Sequence, residues 1–238
     1  MRTFHDTPFR LFIIGDTQTG KSNIYKRITR PDDPYWDNTI KPTRAVNLLT
    51  KYDLLQNRIV KIQVWDTRGS RILESLPLLL FKVAQGFLLV FDITNRESFK
   101  NIPYWLQDIQ RDAQKDVEKV LVGNKCDLEE QRQVSYEEAR LFAEKHHLKY
   151  FEISAKTGES VDCALKALEK AVLESLEERV AKEEAAECGK EAEKSLFERV
   201  KSLFYSVLKG KVELVKVFKS ALVTFALMGV AQLLLRIF

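Results

Sequence analysis

The chain has 238 residues, 45% of them hydrophobic and 10% aromatic, with 9 Gly and 6 Pro. That is enough for one domain of ordinary size plus an appendage, and it excludes collagen-like, low-complexity and globally disordered character. A net charge of +4 is modest and by itself says little about nucleic acid, and no nucleic-acid partner is expected; three cysteines at no ligand spacing imply neither a disulfide framework nor a thiolate zinc site.

In chain order, the apolar stretch ending at Ile14 runs straight into a glycine loop, so it reads as a strand and not as a leader peptide. Strands are expected at Arg10–Ile14, Val46–Leu49, Ile59–Trp65, Gly86–Asp92, Lys119–Gly123 and Tyr150–Ile153. Helical stretches lie between them, around Lys21–Thr29, Glu97–Ala113, Tyr136–His146 and Val161–Leu176. The nearly continuous apolar character of FLLVFDI and KVLVGN predicts a sheet covered on both faces. The fold class is therefore α/β, with a doubly wound, mostly parallel six-stranded sheet whose ligands sit at the carboxyl ends of the strands. The expected division is a domain over 1–176, a charged helical linker over 177–195, and an amphipathic to hydrophobic segment over 196–238. Gly189 marks a potential break in the linker.

The chemistry begins at Gly15-Asp16-Thr17-Gln18-Thr19-Gly20-Lys21-Ser22, which follows a strand and opens a helix. This is GxxxxGK[ST] in its required context: main-chain amides and the helix terminus face phosphates, Lys21 supplies charge, and the Ser22 hydroxyl suits Mg²⁺. Asp66-Thr-Arg-Gly69 brings a carboxylate toward the metal and a glycine N–H toward a γ-phosphate. Asn124-Lys125-Cys-Asp127 offers a carboxylate that can accept from both N1–H and the 2-amino group of guanine, a pair that adenine lacks. Ser154-Ala155-Lys156, after the last strand, can close over the base.

With all four motifs in order, the chain resembles a Ras-superfamily small GTPase over about residues 8–175, and most of all the Rab branch. The resemblance is densest in FDITNRESFKNIPYWLQDIQ, DVEKVLVGNKCDLEEQRQVS and KYFEISAKTG. It implies a P-loop small GTPase domain that binds GDP and GTP with Mg²⁺, hydrolyses GTP slowly and serves as a switch in vesicle traffic or membrane identity. By position, Thr39 matches the threonine that reaches Mg²⁺ and the γ-phosphate, Asp66 the residue that holds the metal, and Lys125 the residue that packs along the base. Effector, exchange and activating proteins are expected at the first switch (Thr39–Thr43) and the second (Arg71–Phe81).

The departures gather in those switches. Ser70 stands where the family has the glutamine that orients the attacking water, and it is too short for that task, so intrinsic hydrolysis should be impaired. Arg68 replaces a small alanine; it could reach the phosphates, obstruct switch closure or point to solvent, which leaves Ser70 and Arg68 as catalytic candidates without a settled role. Lys41-Pro42 should stiffen the first switch. The second switch, Ile72 to Phe81, is unusually apolar and is either a partner surface or part of the core; Trp65 beside it is open to the same two readings. Gln18 occupies a place where glycine is common.

From Lys190 onward nine Lys/Arg stand against four Glu, so the basic character belongs to the tail. No cysteine follows Cys188, which points away from prenyl anchoring. Ser220–Leu235 is uncharged and flanked by Lys219 and Arg236, and as helix it would span roughly 24 Å against a hydrocarbon core of roughly 30 Å. The expectation is a chain attached to the cytosolic face of a membrane through 196–238, by a tail anchor or an interfacial helix. The competing expectation is that this segment packs on protein, within the chain or in a dimer. A non-hydrolysing scaffold and an ATP-using P-loop enzyme are the rival functions.

Overall fold

The structure, a computed structural model, describes residues 8–31, 46–67, 69, 78–208 and 223. Thr39, the first-switch segment through Thr43, Arg68, Ser70, residues 71–77 of the second switch, and the tail beyond 208 apart from Val223 lie outside the described residues. The chain divides into two compact units between Glu177 and Glu178.

The first unit is built on a six-stranded sheet. Its strands are β1 (Phe9–Ile14), β2 (Asn47–Leu55), β3 (Arg58–Asp66), β4 (Gly86–Asp92), β5 (Glu118–Asn124) and β6 (Lys149–Ile153). The order across the sheet is β2-β3-β1-β4-β5-β6, with β2 antiparallel to β3 and the remaining pairs parallel. All seven residues of β4 are buried, as expected of a central strand covered on both faces.

Alternate side chains feed two apolar layers. Leu11, Ile13, Val64, Leu88, Val90 and Val122 face α1 (Lys21–Thr29) and the first turns of the last helix, α6 (Val161–Leu208), which contribute Ile24, Leu165, Leu168 and Val172. Phe12, Phe87, Leu89, Phe91 and Leu121 face α2 (Leu78–Lys82), α3 (Arg96–Lys100), α4 (Ile102–Asp112) and α5 (Tyr136–Lys145), which contribute Phe81, Phe99, Trp105, Ile109, Ala139 and Ala143. The Phe81 side chain is buried in this layer, so the second-switch partner surface expected to reach Phe81 stops short of it: there the aromatic ring fills the core, edge-on to Phe87 at 5.0 Å. Trp65 stacks on Phe12 at 5.6 Å and packs against the same layer.

Two elements differ from expectation. β2 continues past Leu49 to Leu55, because Lys51 and Asp53 occupy its inner face and hide the apolar alternation. The β2–β3 turn is made by Gln56 and Asn57, both with positive φ (48° and 63°), a two-residue reversal without the usual glycine. The helix expected over Glu97–Ala113 is two helices broken at Asn101. Pro103 in the first turn of α4 has no N–H with which to continue α3.

Lys51 reaches into the layer covered by α1 and α6, toward Glu169 of α6, Nζ to Oε1 at 3.0 Å, and also pairs with Asp53 at 3.1 Å. Glu169 is fully buried and takes the place of an apolar residue in the helix face. Burial pushes its carboxyl up from 4.5 to about 7, against the opposing pull of the Lys51 ammonium. The second unit takes up α6 from Glu178, without interruption at Gly189; Phe197, Leu203 and Tyr205 are exposed on it. No helix among the described residues is long and apolar enough to cross a membrane.

The raised carboxyl has a signed consequence for stability. The folded state holds the Glu169 proton more tightly than the unfolded chain, so stability falls as pH rises from about 4.5 to about 7. Glu169→Gln should remove that part of the pH dependence and leave the protein on the order of 2 kcal/mol less sensitive across the window. Urea titrations at pH 5 and pH 7.5 check this; identical slopes with pH for parent and variant would refute it.

Candidate functional site

The site lies at the carboxyl ends of β1, β3, β4, β5 and β6, where each strand hands over to a loop. Residues 15–20 wrap from β1 to the first turn of α1. Gly20 caps α1 with φ of 92°, and a Cβ there would lie 2.2 Å from Asn124 Nδ2, so only glycine fits between the loop and the end of β5. Gln18 also has a left-handed φ, 67°, which is why glycine is common there and why this glutamine carries some backbone strain.

Lys21 is buried at the start of α1, and its Nζ donates to the Asp16 carbonyl at 2.6 Å. Burial lowers its pKa to about 8, opposed by the Asp66 and Asp16 carboxylates. The Thr19 hydroxyl donates to the same carbonyl at 2.9 Å. Asp16 is itself held from the side: Asn101 Nδ2 and Trp105 Nε1 donate to its two carboxylate oxygens at 2.7 and 2.8 Å. Sequence reading placed Asp16 with the phosphates and did not find Asn101 and Trp105, which clamp it. No local pattern pointed to them, because the two bonds span 85 and 89 residues of sequence.

On the other flank, Asn124 is buried and bridges two loops. Its Nδ2 donates to the Thr19 carbonyl at 2.8 Å, and its Oδ1 accepts from Ala155 N at 3.1 Å. Ser154 donates from Oγ to Asp127 Oδ1 at 2.6 Å and accepts from Thr157 N at 3.1 Å, which sets the Asp127 carboxylate at the rim. Lys125, in a left-handed conformation with φ of 71°, pairs with Asp92 at 2.5 Å. Arg27 of α1 donates to the carbonyls of Ala155 (3.2 Å), Lys156 (2.7 Å) and Pro31 (3.0 Å), another support that the motifs did not reveal. Gly20, Asn23, Asn124, Lys125, Asp127, Leu128, Ala155 and Lys156 together line a cavity of about 350 Å³.

Asp66 closes β3, fully buried, and accepts from Asn47 Nδ2 at 3.2 Å. Gly69 follows it, against Thr17 and Lys21. The structure thus brings together Gly15–Ser22, Asp66, Gly69, Asn124, Lys125, Asp127, Ser154, Ala155 and Lys156 on one edge of the sheet.

The sequence profile of the Ras family matches residues 10–174. The chain belongs to the Ras family of small GTPases. It is similar to Ras-related protein Rab-13 of Rattus norvegicus, 34% identical over 173 residues that make up 73% of this chain and 84% of the relative. It is also similar to Ras-related protein Rab-10 of Caenorhabditis elegans, 36% identical over 169 residues, 71% of this chain and 83% of the relative. Within the Ras family this chain stands close to Rab, and it is a GTP-binding switch by that membership.

The donors present suit the Mg²⁺ that usually accompanies the family's nucleotide. No group of three His, Cys, Asp or Glu is gathered among the described residues. Mg²⁺ needs none: it keeps waters and phosphate oxygens and takes only one or two hard protein oxygens, of the kind that the Asp66 carboxylate and the Ser22 hydroxyl would supply.

Asn101→Ala should leave one Asp16 oxygen without its donor and loosen the loop whose carbonyl holds Lys21. Loss of one hydrogen bond of about 1 kcal/mol gives roughly 3- to 10-fold faster release of a fluorescent guanine nucleotide in displacement assays. Release as slow as in the parent would show that the clamp does not position the loop.

Proposed function

We propose that this Ras-family protein is a Rab-type guanine-nucleotide switch in which one cavity reads the base and one loop holds the phosphates. The observation that carries this is the cavity lined by Asn124, Lys125, Asp127, Ala155 and Lys156, with Gly20 of the phosphate loop in its wall. Asp127 presents a carboxylate to the N1–H and 2-amino edge of guanine, and a base without that pair would leave the acceptors unmatched. Lys125, steadied by Asp92, would lie along the base. Residues 15–20 offer amides to the phosphates, and Lys21, whose burial disfavours an uncompensated charge, gains a natural counter-charge from them. Ser22, Asp66 and Thr39 would hold Mg²⁺, whose role when bound is to neutralise charge on the outer phosphates.

Hydrolysis is proposed to be slow. Phosphoryl transfer in this class depends on holding a water in line, and Ser70 in place of glutamine is too short to do so. Ser70 also favours a second reading, a non-hydrolysing scaffold that works by displaying one nucleotide-bound surface. Single-turnover hydrolysis with Mg²⁺ separates the two. Measurable GDP formation within hours supports the slow enzyme; GTP intact over a day supports the scaffold. In the same preparation, Asp127→Ala should weaken guanine-nucleotide binding by two or more orders of magnitude, and an unchanged Kd would overturn the base assignment.

Membrane attachment through 196–238, on a cytosolic face, completes the proposal, and with it a role in vesicle traffic or membrane identity. The basic, apolar composition of that segment supports it, with five lysines from Lys201 to Lys219 suited to anionic headgroups. Full-length protein should float with anionic liposomes, whereas a chain ending at Glu187 should not; equal behaviour would remove the membrane role and leave a protein partner or a dimer for the tail.

A further inference from the structure

One contact at the site is required by none of the nucleotide motifs. The Thr17 hydroxyl donates to the Gly69 carbonyl at 3.0 Å and so ties the phosphate loop to the start of the second switch. Gly69 is delivered there from a fixed point, since the buried Thr67 hydroxyl donates to the Ile13 carbonyl at 2.8 Å and fastens the end of β3 to β1. The fit is close: a Cβ on Gly69 would lie 2.5 Å from Lys21 Nζ and 2.5 Å from Thr17 N. The Gly69 backbone therefore sits close against both the lysine ammonium and the Thr17 amide.

The loop has two ends. Thr19 and Gly20 at one end touch Asn124 and the base cavity, and Thr17 at the other, together with the Nζ tip of Lys21, touches Gly69. In a nucleoside triphosphate the third phosphate is the group farthest from the base, so it belongs at the Gly69 end. A phosphate oxygen bound to an ammonium needs a separation of about 2.7–2.9 Å from the nitrogen. On the Gly69 side of Lys21 that room is taken up by backbone.

We propose that Thr17 is a specificity-determining latch: its hydroxyl holds Gly69 over Lys21, so a third phosphate must break the Thr17–Gly69 bond, and the protein favours GDP over GTP by the strength of that bond. The inference rests on the guanine-nucleotide reading above. It also assigns a chemical reason to a threonine at a position where the phosphate-loop motif accepts any residue. Thr17→Val keeps the branched shape and removes the donor; Thr17→Ser keeps the donor and removes the methyl.

The test is the ratio of Kd values for GDP and a non-hydrolysable GTP analogue, measured by fluorescence titration on the full chain with Mg²⁺, with thermal melting as the check on folding. Thr17→Val should shift the ratio toward the triphosphate by about 3- to 10-fold, the worth of one exposed hydrogen bond, while Thr17→Ser stays near the parent. An unchanged ratio in Thr17→Val overturns the latch. So does an equal shift in both variants, which would assign the effect to side-chain volume. If the parent binds guanine nucleotides and the ratio does not move, the latch alone fails; if the parent binds neither, the switch reading fails and the latch with it.

Discussion

The geometry of the site depends on the side chain of Asn124. One buried amide joins the Thr19 carbonyl on its donor side to the Ala155 amide on its acceptor side. Three separate segments, from the ends of β1, β5 and β6, are fixed relative to one another by these two bonds. A shorter residue would leave both loops unbridged, and an apolar one would bury two backbone groups without partners. Gly20 belongs to the same constraint, because its missing side chain is what allows the amide to come so close.

Around that link the protein spends few charges and many carbonyls. Lys21 is held by a main-chain oxygen, Arg27 by three of them, and Asp16 by two neutral donors. Backbone oxygens and neutral side chains orient these charged groups, and the Ser154 hydroxyl does the same for Asp127. Burial of Lys21, which depresses its pKa, makes an anionic partner more valuable to it than it would be in water.

Much of this could be read from the sequence, for reasons that differ by element. The strand-loop-helix setting of Gly15–Ser22 and the continuously apolar β4 and β5 are local patterns, and they placed the sheet and the phosphate loop. The motifs Asn124–Asp127 and Ser154–Lys156 were legible because each follows a strand. The clamp on Asp16 was not, since Asn101 and Trp105 lie 85 and 89 residues away and nothing local demands them. The length of β2 was hidden by Lys51 and Asp53, which put charge where alternation calls for apolar residues; Lys51 pairs with Asp53 beside it and with Glu169 across the fold. The Gln56-Asn57 turn was missed because neither residue is the glycine that marks such reversals. Phe81 reads in sequence as one more residue of an apolar switch, and only the sheet face beneath it shows that it is core.

Arg27 carries a consequence of its own. A single planar cation collects Ala155, Lys156 and Pro31, so three stretches of main chain share one anchor. An ammonium has no such fork and could serve fewer of them at those angles. The peptide on one side of the cavity and the peptide leaving α1 are therefore not independent: the same guanidinium that would steady the floor under a bound purine also moors the chain where it departs from α1.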